Sequence, residues 1–341
     1  MEKNFENWEA SIPPQDMKAE LKAMRRNLRR RNWKIVAISV FLVLAILFSV
    51  VKLVIPALEK RYWDPTVCSY LEDVTDTELI IATYSELFGH GKRLMSVDVE
   101  KTGFANYSLN TSYVSADRMH RQMDISFRSA SLNKGEFHFD LNYDILGNFH
   151  RLGSASEYPY KSAMAQTKEK LNALPEYVQV YASVTFREDL NLHQLQQLQF
   201  QYLDSADFIW AVLRSCEPTV EDYIQCGVSL KEYRSNDYSP EYWNSTDYSQ
   251  LFLQRYDWTG SQMEQHVKSM LRFSGDQLKN GTGILPNGAQ SDYYEKTLQY
   301  LEENGVKVYG SYVIATPEAL LDMMNDDLLL HVHLMDAKIG I

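Results

Sequence analysis

Cysteine is scarce in this chain, with three residues in 341, at positions 68, 216 and 226. None stands in a C-x-x-C pair or a comparable spacing, which excludes the zinc-ribbon and finger classes that rely on thiolate ligands. Cys216 and Cys226 flank the short connection EPTVEDYIQ and can close a small loop on the oxidising side of a membrane, leaving Cys68 as the odd residue. Three separate thiols are the alternative. Catalytic signatures are missing as well: there is no G-x-S-x-G, no H-E-x-x-H and no Gly-rich phosphate loop. The expectation is a protein that is not an enzyme and carries no metal or cofactor. His331 and His333 lie on one face of a strand, but no third ligand accompanies them, so packed or exposed strand histidines are the simpler reading. Gly89-His90-Gly91 reads as a turn, and Asp326-Asp327 as the end of a helix.

Positive charge is also lacking over most of the chain. The first 34 residues hold nine Lys and Arg against five Asp and Glu, a net +4, while the remaining 25 basic and 40 acidic residues make −15. An acidic bulk argues against nucleic acid as a ligand, because such ligands need clustered cations. The basic patch near the start is explained by membrane topology and lipid headgroups.

One stretch lacks charge altogether. From Ile35 to Val51 there is no ionisable side chain, and Leu53 to Ile55 extend the run beyond Lys52 to about 20 apolar positions, enough to cross roughly 30 Å of hydrocarbon. Trp33 at one end, and Tyr62 and Trp63 at the other, are the amphipathic aromatics that settle at headgroup depth. Lys18, Lys22, Arg25, Arg26, Arg29, Arg30, Arg31 and Lys34 precede the run against one acid, Glu20. The positive-inside bias therefore places the short N-terminus in the cytoplasm and the chain from about residue 60 outside. A secretory signal peptide fits less well, since the run is too long and no small-x-small cleavage site comes after it.

Hydrophobic residues at 45% and aromatics at 12%, with 22 Tyr, provide for a real core in the outer portion. Four segments are expected: 1–34, a cytoplasmic partner-binding segment; 35–57, a transmembrane helix; 58–165, a strand-rich membrane-proximal module; and 166–341, an α+β C-terminal module. The fold class is α+β. In the first segment Met17, Leu21, Met24 and Leu28 repeat at steps of four, three and four, one stripe of a helix, with Trp8 upstream as a further anchor. Such a stripe must meet the bilayer surface, a copy of itself or a partner protein.

Further along, TELIIATYSELF, RLMSVDVEKT, FANYSLNTSYVSA, RQMDISFRSA and EFHFDLNYDILG read as short strands of an antiparallel sheet with one wet face. N-x-S/T sequons at Asn106, Asn110, Asn244 and Asn280 discriminate weakly. YKSAMAQTKEKLNALP reads as a helix and VQVYASVTF as a strand. A helix capped by Asp189 or Asn191 comes next, then the strand FIWAVLRS. A Tyr- and Ser-rich loop runs from 233 to 257. Two helices, a strand, a helix begun by Thr316-Pro317-Glu318 and the strand LLLHVHLMD close the chain.

Three stretches resemble the bacterial sigma factor regulator family, membrane anti-sigma factors of Bacillus-type Firmicutes. They are RRNLRRRNWKIVAISVFLVLAILF with the adjoining YWDP; VQVYASVTFREDLNLHQLQQL with FIWAVL; and VYGSYVIATPEALLDMMNDDLLLHVHLMD. The resemblance implies a single-pass protein whose cytoplasmic segment holds an extracytoplasmic-function sigma factor away from RNA polymerase and whose outer portion senses an envelope signal. The zinc-type anti-sigma domain is not expected, because no Cys or His precedes Cys68. So short a segment also leaves room for a companion membrane regulator. An envelope assembly or ligand-binding protein with no transcriptional partner is the alternative.

Overall fold

The computed structural model describes residues 15–70, 74–89, 92–115, 125–134, 136–139, 158–217, 224–230, 248–251, 258–286 and 288–339. They form a mixed helix-and-sheet protein with one long apolar N-terminal helix, and the chain divides into two compact units, Met1–Tyr62 and Trp63–Ile341.

In the first unit, α1 runs unbroken from Gln15–Ser49, 35 residues. No Gly or Pro occurs between Gln15 and Ile55, and the segment outside the apolar run is built mostly of Ala, Leu, Met, Lys and Arg, all strong helix formers. A π turn, Val50–Val54, and a short α2, Ile55–Glu59, complete the unit's described elements. Pro56 accounts for the π turn: it has no N–H to donate and its ring crowds the carbonyl four residues back, so the Ile55 N–H reaches the Val50 carbonyl instead.

The second unit begins with α3, Asp76–Phe88, succeeded by β1 (Lys92–Gly103), β2 (Asn106–Ser115), β3 (Ile125–Asn133) and β4 (Glu136–Phe139), an antiparallel meander in that order. Tyr107, Leu109, Thr111 and Tyr113 turn inward from β2, while Ser108 and Asn110 face wetter ground, the one-sided burial expected of such a sheet. TELIIATYSELF, expected as a strand, is α3. Thr75 caps it by accepting the Glu78 N–H, and Asp76 and Glu78 suit the positive end of the dipole. Its apolar residues are dense because the helix is buried on nearly every side, from Leu79 and Ile81 to Thr83 and Ser85. Burial all round obscures both periodicities.

Next come α4 (Tyr158–Asn172), β5 (Val178–Asn191), α5 (Leu192–Gln201), β6 (Ala206–Leu213), β7 (Gly227–Ser229), α6 (Gly260–Lys279), α7 (Tyr293–Asn304), β8 (Lys307–Ala315), α8 (Pro317–Asn325) and β9 (Leu329–Ile339). The strands form a five-stranded antiparallel sheet in the order β7-β6-β8-β5-β9. Asn191, not Asp189, caps α5, in a reciprocal box with Gln194. Val180, Ala182, Val184, Phe208 and Leu213 belong to a core that also takes in Leu109, Tyr113 and Leu132 from the meander. Ile209, Trp210, Val212, Tyr309, Tyr312 and Ile314 form a second, aromatic cluster. A register shift between Phe208 and Trp210 lets the consecutive residues Ile209 and Trp210 join the same cluster. α3 joins the parts: it packs on β1, β7 and α6, and its Glu86 carbonyl accepts the Trp210 indole N–H at 2.8 Å.

Candidate functional site

The partner segment expected from the sequence lies on α1. Because the helix is continuous, the steps of four, three and four place positions 17, 21, 24 and 28 on one face. Leu21, Met24 and Leu28 are 45%, 64% and 51% exposed, open apolar groups flanked by Lys22, Arg25, Arg26 and Arg29. Trp8 lies outside the described residues, as does the side chain of Met17. Trp33, at the start of the apolar run, is 73% exposed. Within the run Phe41 and Phe48 are equally open, and the Ser49 hydroxyl donates to the Ala45 carbonyl at 2.8 Å, which satisfies a polar group that hydrocarbon could not. Of the two aromatics expected at the far end, Tyr62 ends the first unit, whereas Trp63 opens the second and packs partly buried against its core.

The cysteines are thiols in the structure: Cys68 exposed, Cys216 half-buried, Cys226 buried. Cys226 sits by the hydroxyls of Ser215 and Tyr293, and burial pushes its thiol up to about 11. The Tyr293 and Tyr294 phenols are raised well above their ordinary value by the same desolvation. On β9, His331 is buried and His333 exposed, opposite Thr185 and Ser183 of β5. Among the described residues, no three His, Cys, Asp or Glu side chains gather as a metal-binding group.

Sequence reasoning misses two polar pairs, each built on a buried Arg or His side chain. Arg214, at the end of β6, is 2% exposed; its Nε and Nη2 grip the Asp189 carboxylate at 2.9 and 2.8 Å, and its guanidinium lies 4.3 Å from the Tyr309 ring centre. His266 of α6 is set between the Gln250 carbonyl, 2.8 Å from Nδ1, and the Glu86 carboxylate, 3.0 Å from Nε2. A lone cation closing an apolar strand is the signal for Arg214, but its partner is 25 residues away. Glu86 is 180 residues from His266, and no local pattern announces that pair. Both clusters tie structural elements together within the second unit. Among the described residues, the longest run of exposed apolar side chains is that of α1.

Set beside known proteins, the chain matches no family model, no curated protein and no solved structure.

Proposed function

We propose that this chain is a single-pass membrane anti-sigma factor of the cell membrane. Its cytoplasmic segment, residues 1–34, sequesters an extracytoplasmic-function sigma factor, and its large unit lies outside and answers an envelope signal. The observation that carries this reading is the open Leu21–Met24–Leu28 stripe on the basic side of the apolar run. Three exposed apolar side chains on one face of the charged stretch of α1 suit the groove of a partner protein, where a few desolvated anchors supply most of the affinity. The bilayer surface is a poorer occupant, because α1 has no break that would let the stripe lie flat while the run beyond it crosses the membrane. Met17 and Trp8 are assigned to the same contact, and a companion membrane regulator can strengthen it. The C-terminal module carries no assigned chemistry.

The test is capture of a sigma factor by residues 1–34 fused to a carrier. Replacing Leu21 and Met24 by Asp puts two charges in the contact and should weaken capture at least about 100-fold, since truncating central anchors costs ~2 kcal/mol or more each. Undiminished capture removes the stripe from the site. If deletion of the chain raises no sigma regulon, the envelope-assembly reading takes its place.

A further inference from the structure

The cations of α1 keep to faces that the apolar stripe leaves free. From Lys22 to Lys34 the chain holds seven Lys and Arg and no Asp or Glu, all of them exposed. At about 100° per residue, Lys22, Arg25, Arg26, Arg29, Arg30 and Lys34 fall within an arc of roughly 180°, and Leu21, Met24 and Leu28 within roughly 60° on the opposite side. Arg31 lies next to the stripe. Arg25, Arg26, Arg29, Arg30 and Trp33 line one open groove that reaches the start of the apolar run. Depth sorts the same cations a second way. A rise of about 1.5 Å per residue sets Lys34, Arg31, Arg30 and Arg29 within roughly 9 Å of Ile35, where long side chains extend into a headgroup layer about 5–8 Å thick. Arg26 and Arg25, roughly 14–15 Å out, stand past that layer but within about a Debye length of it.

We propose that this basic face is a recognition site for anionic phospholipid headgroups, held by Arg29, Arg30, Arg31 and Lys34 in direct contact and by Arg25 and Arg26 through the longer-range field. Charge complementarity selects the occupant: seven cations with no acid among them meet phosphodiesters, whereas a second copy of the same segment would be repelled. Position selects lipid over a soluble polyanion. The four innermost cations adjoin the hydrocarbon, where a polyanion would have to displace the headgroups and meet their negative charge. Five of the seven are Arg, whose planar fork donates two parallel hydrogen bonds to one phosphate. Trp33 brings an aromatic ring and an N–H to the same depth. The site rests on α1 crossing a bilayer, the membrane part of the proposed function, and needs no sigma factor. Lipid and partner protein take opposite faces of the helix, so they do not compete.

The test uses the full chain in phosphatidylcholine vesicles carrying a trace of spin-labelled phosphatidylglycerol or spin-labelled phosphatidylcholine, with the motionally restricted fraction of each label read by electron spin resonance. Phosphatidylglycerol should associate with the protein at least about two-fold more strongly than phosphatidylcholine, since a cation at the surface favours the anionic headgroup it touches about five-fold and the restricted shell averages over all its lipids. The preference should shrink in about 1 M NaCl, where the Debye length falls to about 3 Å. Arg29→Gln, Arg30→Gln and Arg31→Gln together should remove most of it. Lys at the same three positions should keep it, and Arg25→Gln with Arg26→Gln should leave the larger part. Equal association of the two lipids with the unsubstituted chain overturns the proposal. So does a preference undiminished in the triple Gln variant, which would assign it to Lys60 and Arg61 beyond the apolar run. A restricted fraction missing for both labels overturns it together with the membrane-spanning helix. Sigma-factor capture by residues 1–34 is scored in solution, so the two readings fail separately.

Discussion

At the scale of single residues, the second unit is tightest where Gly227 meets Trp210. A Cβ on Gly227 would lie 2.2 Å from Trp210 Cζ2 and 2.3 Å from the Ala211 carbonyl oxygen, and neither can retreat, since Trp210 is fully buried and its indole N–H is committed to Glu86. Gly227→Ala should destabilise the unit by about 3 kcal/mol or prevent its folding, as seen in the urea midpoint followed by Trp fluorescence; a midpoint close to wild type would disprove so tight a contact. A second prediction concerns pH. The Cys226 thiol, ordinarily near 9, is held up to about 11 by burial, so above pH 9 the unfolded chain loses this proton while the folded chain keeps it. Its contribution is complete below pH 9 and disappears as pH rises toward 11, with about 1 kcal/mol gone by about pH 10. Cys226→Ala should flatten the stability profile between about pH 8.5 and 9.5, below the midpoint of ordinary tyrosine ionisation. An unchanged slope would assign the alkaline loss to other groups. Neither residue stands out in the sequence. One is a glycine whose strand partner lies elsewhere in the chain, and the other a cysteine whose burial is contributed by α7.

Elements are legible where their ends carry local chemistry. Thr316-Pro317-Glu318 starts α8 because a hydroxyl cap, an N1 proline and a first-turn acid act within one turn. Gly305, at φ +72°, stops α7 in a conformation few other residues adopt. α3 reads as a strand although Thr75 and Glu78 stand in cap spacing, because the density of Ile, Thr, Tyr and Phe outweighs a two-residue signal. Caps with so faint a signature still do measurable work. Thr259 and Gln262 exchange hydrogen bonds at the start of α6, with the Thr259 N–H donating to Gln262 Oε1 at 2.8 Å and the Gln262 N–H to Thr259 Oγ1 at 3.3 Å. Thr259→Ala should cost about 1 kcal/mol in the unfolding free energy, whereas Thr259→Ser should stay within a few tenths of wild type. If the two variants are alike, the hydroxyl contributes nothing.

For the whole molecule, the prediction is one of sidedness. If the basic segment is inside and the acidic unit outside, as proposed, protease added to intact protoplasts should degrade residues from Trp63 onward and spare an N-terminal tag. Digestion of the tag with protection of the large unit would reverse the topology and remove the proposed function with it. The rank of the parts also changes at this scale. The meander and the five-stranded sheet are expected from the sequence as separate modules on either side of residue 165, whereas Leu109 and Tyr113 of one and Val180 and Phe208 of the other enter a single core.

The apolar run, the basic flank and the phase of the α1 stripe were determined by the sequence alone. They depend on counts and spacings along one helix, where neighbours in space are neighbours in sequence. The described strands other than the three-residue β7, and the order of the helices other than α3, were legible because their patterns too are local. Tertiary structure alone decided that α3 is a helix buried on almost all sides, that Asp189 answers Arg214 rather than capping α5, and that Glu86 meets His266. Each of these depends on groups brought together from distant parts of the chain, and the free energy of burying them is set by surroundings that no local window contains.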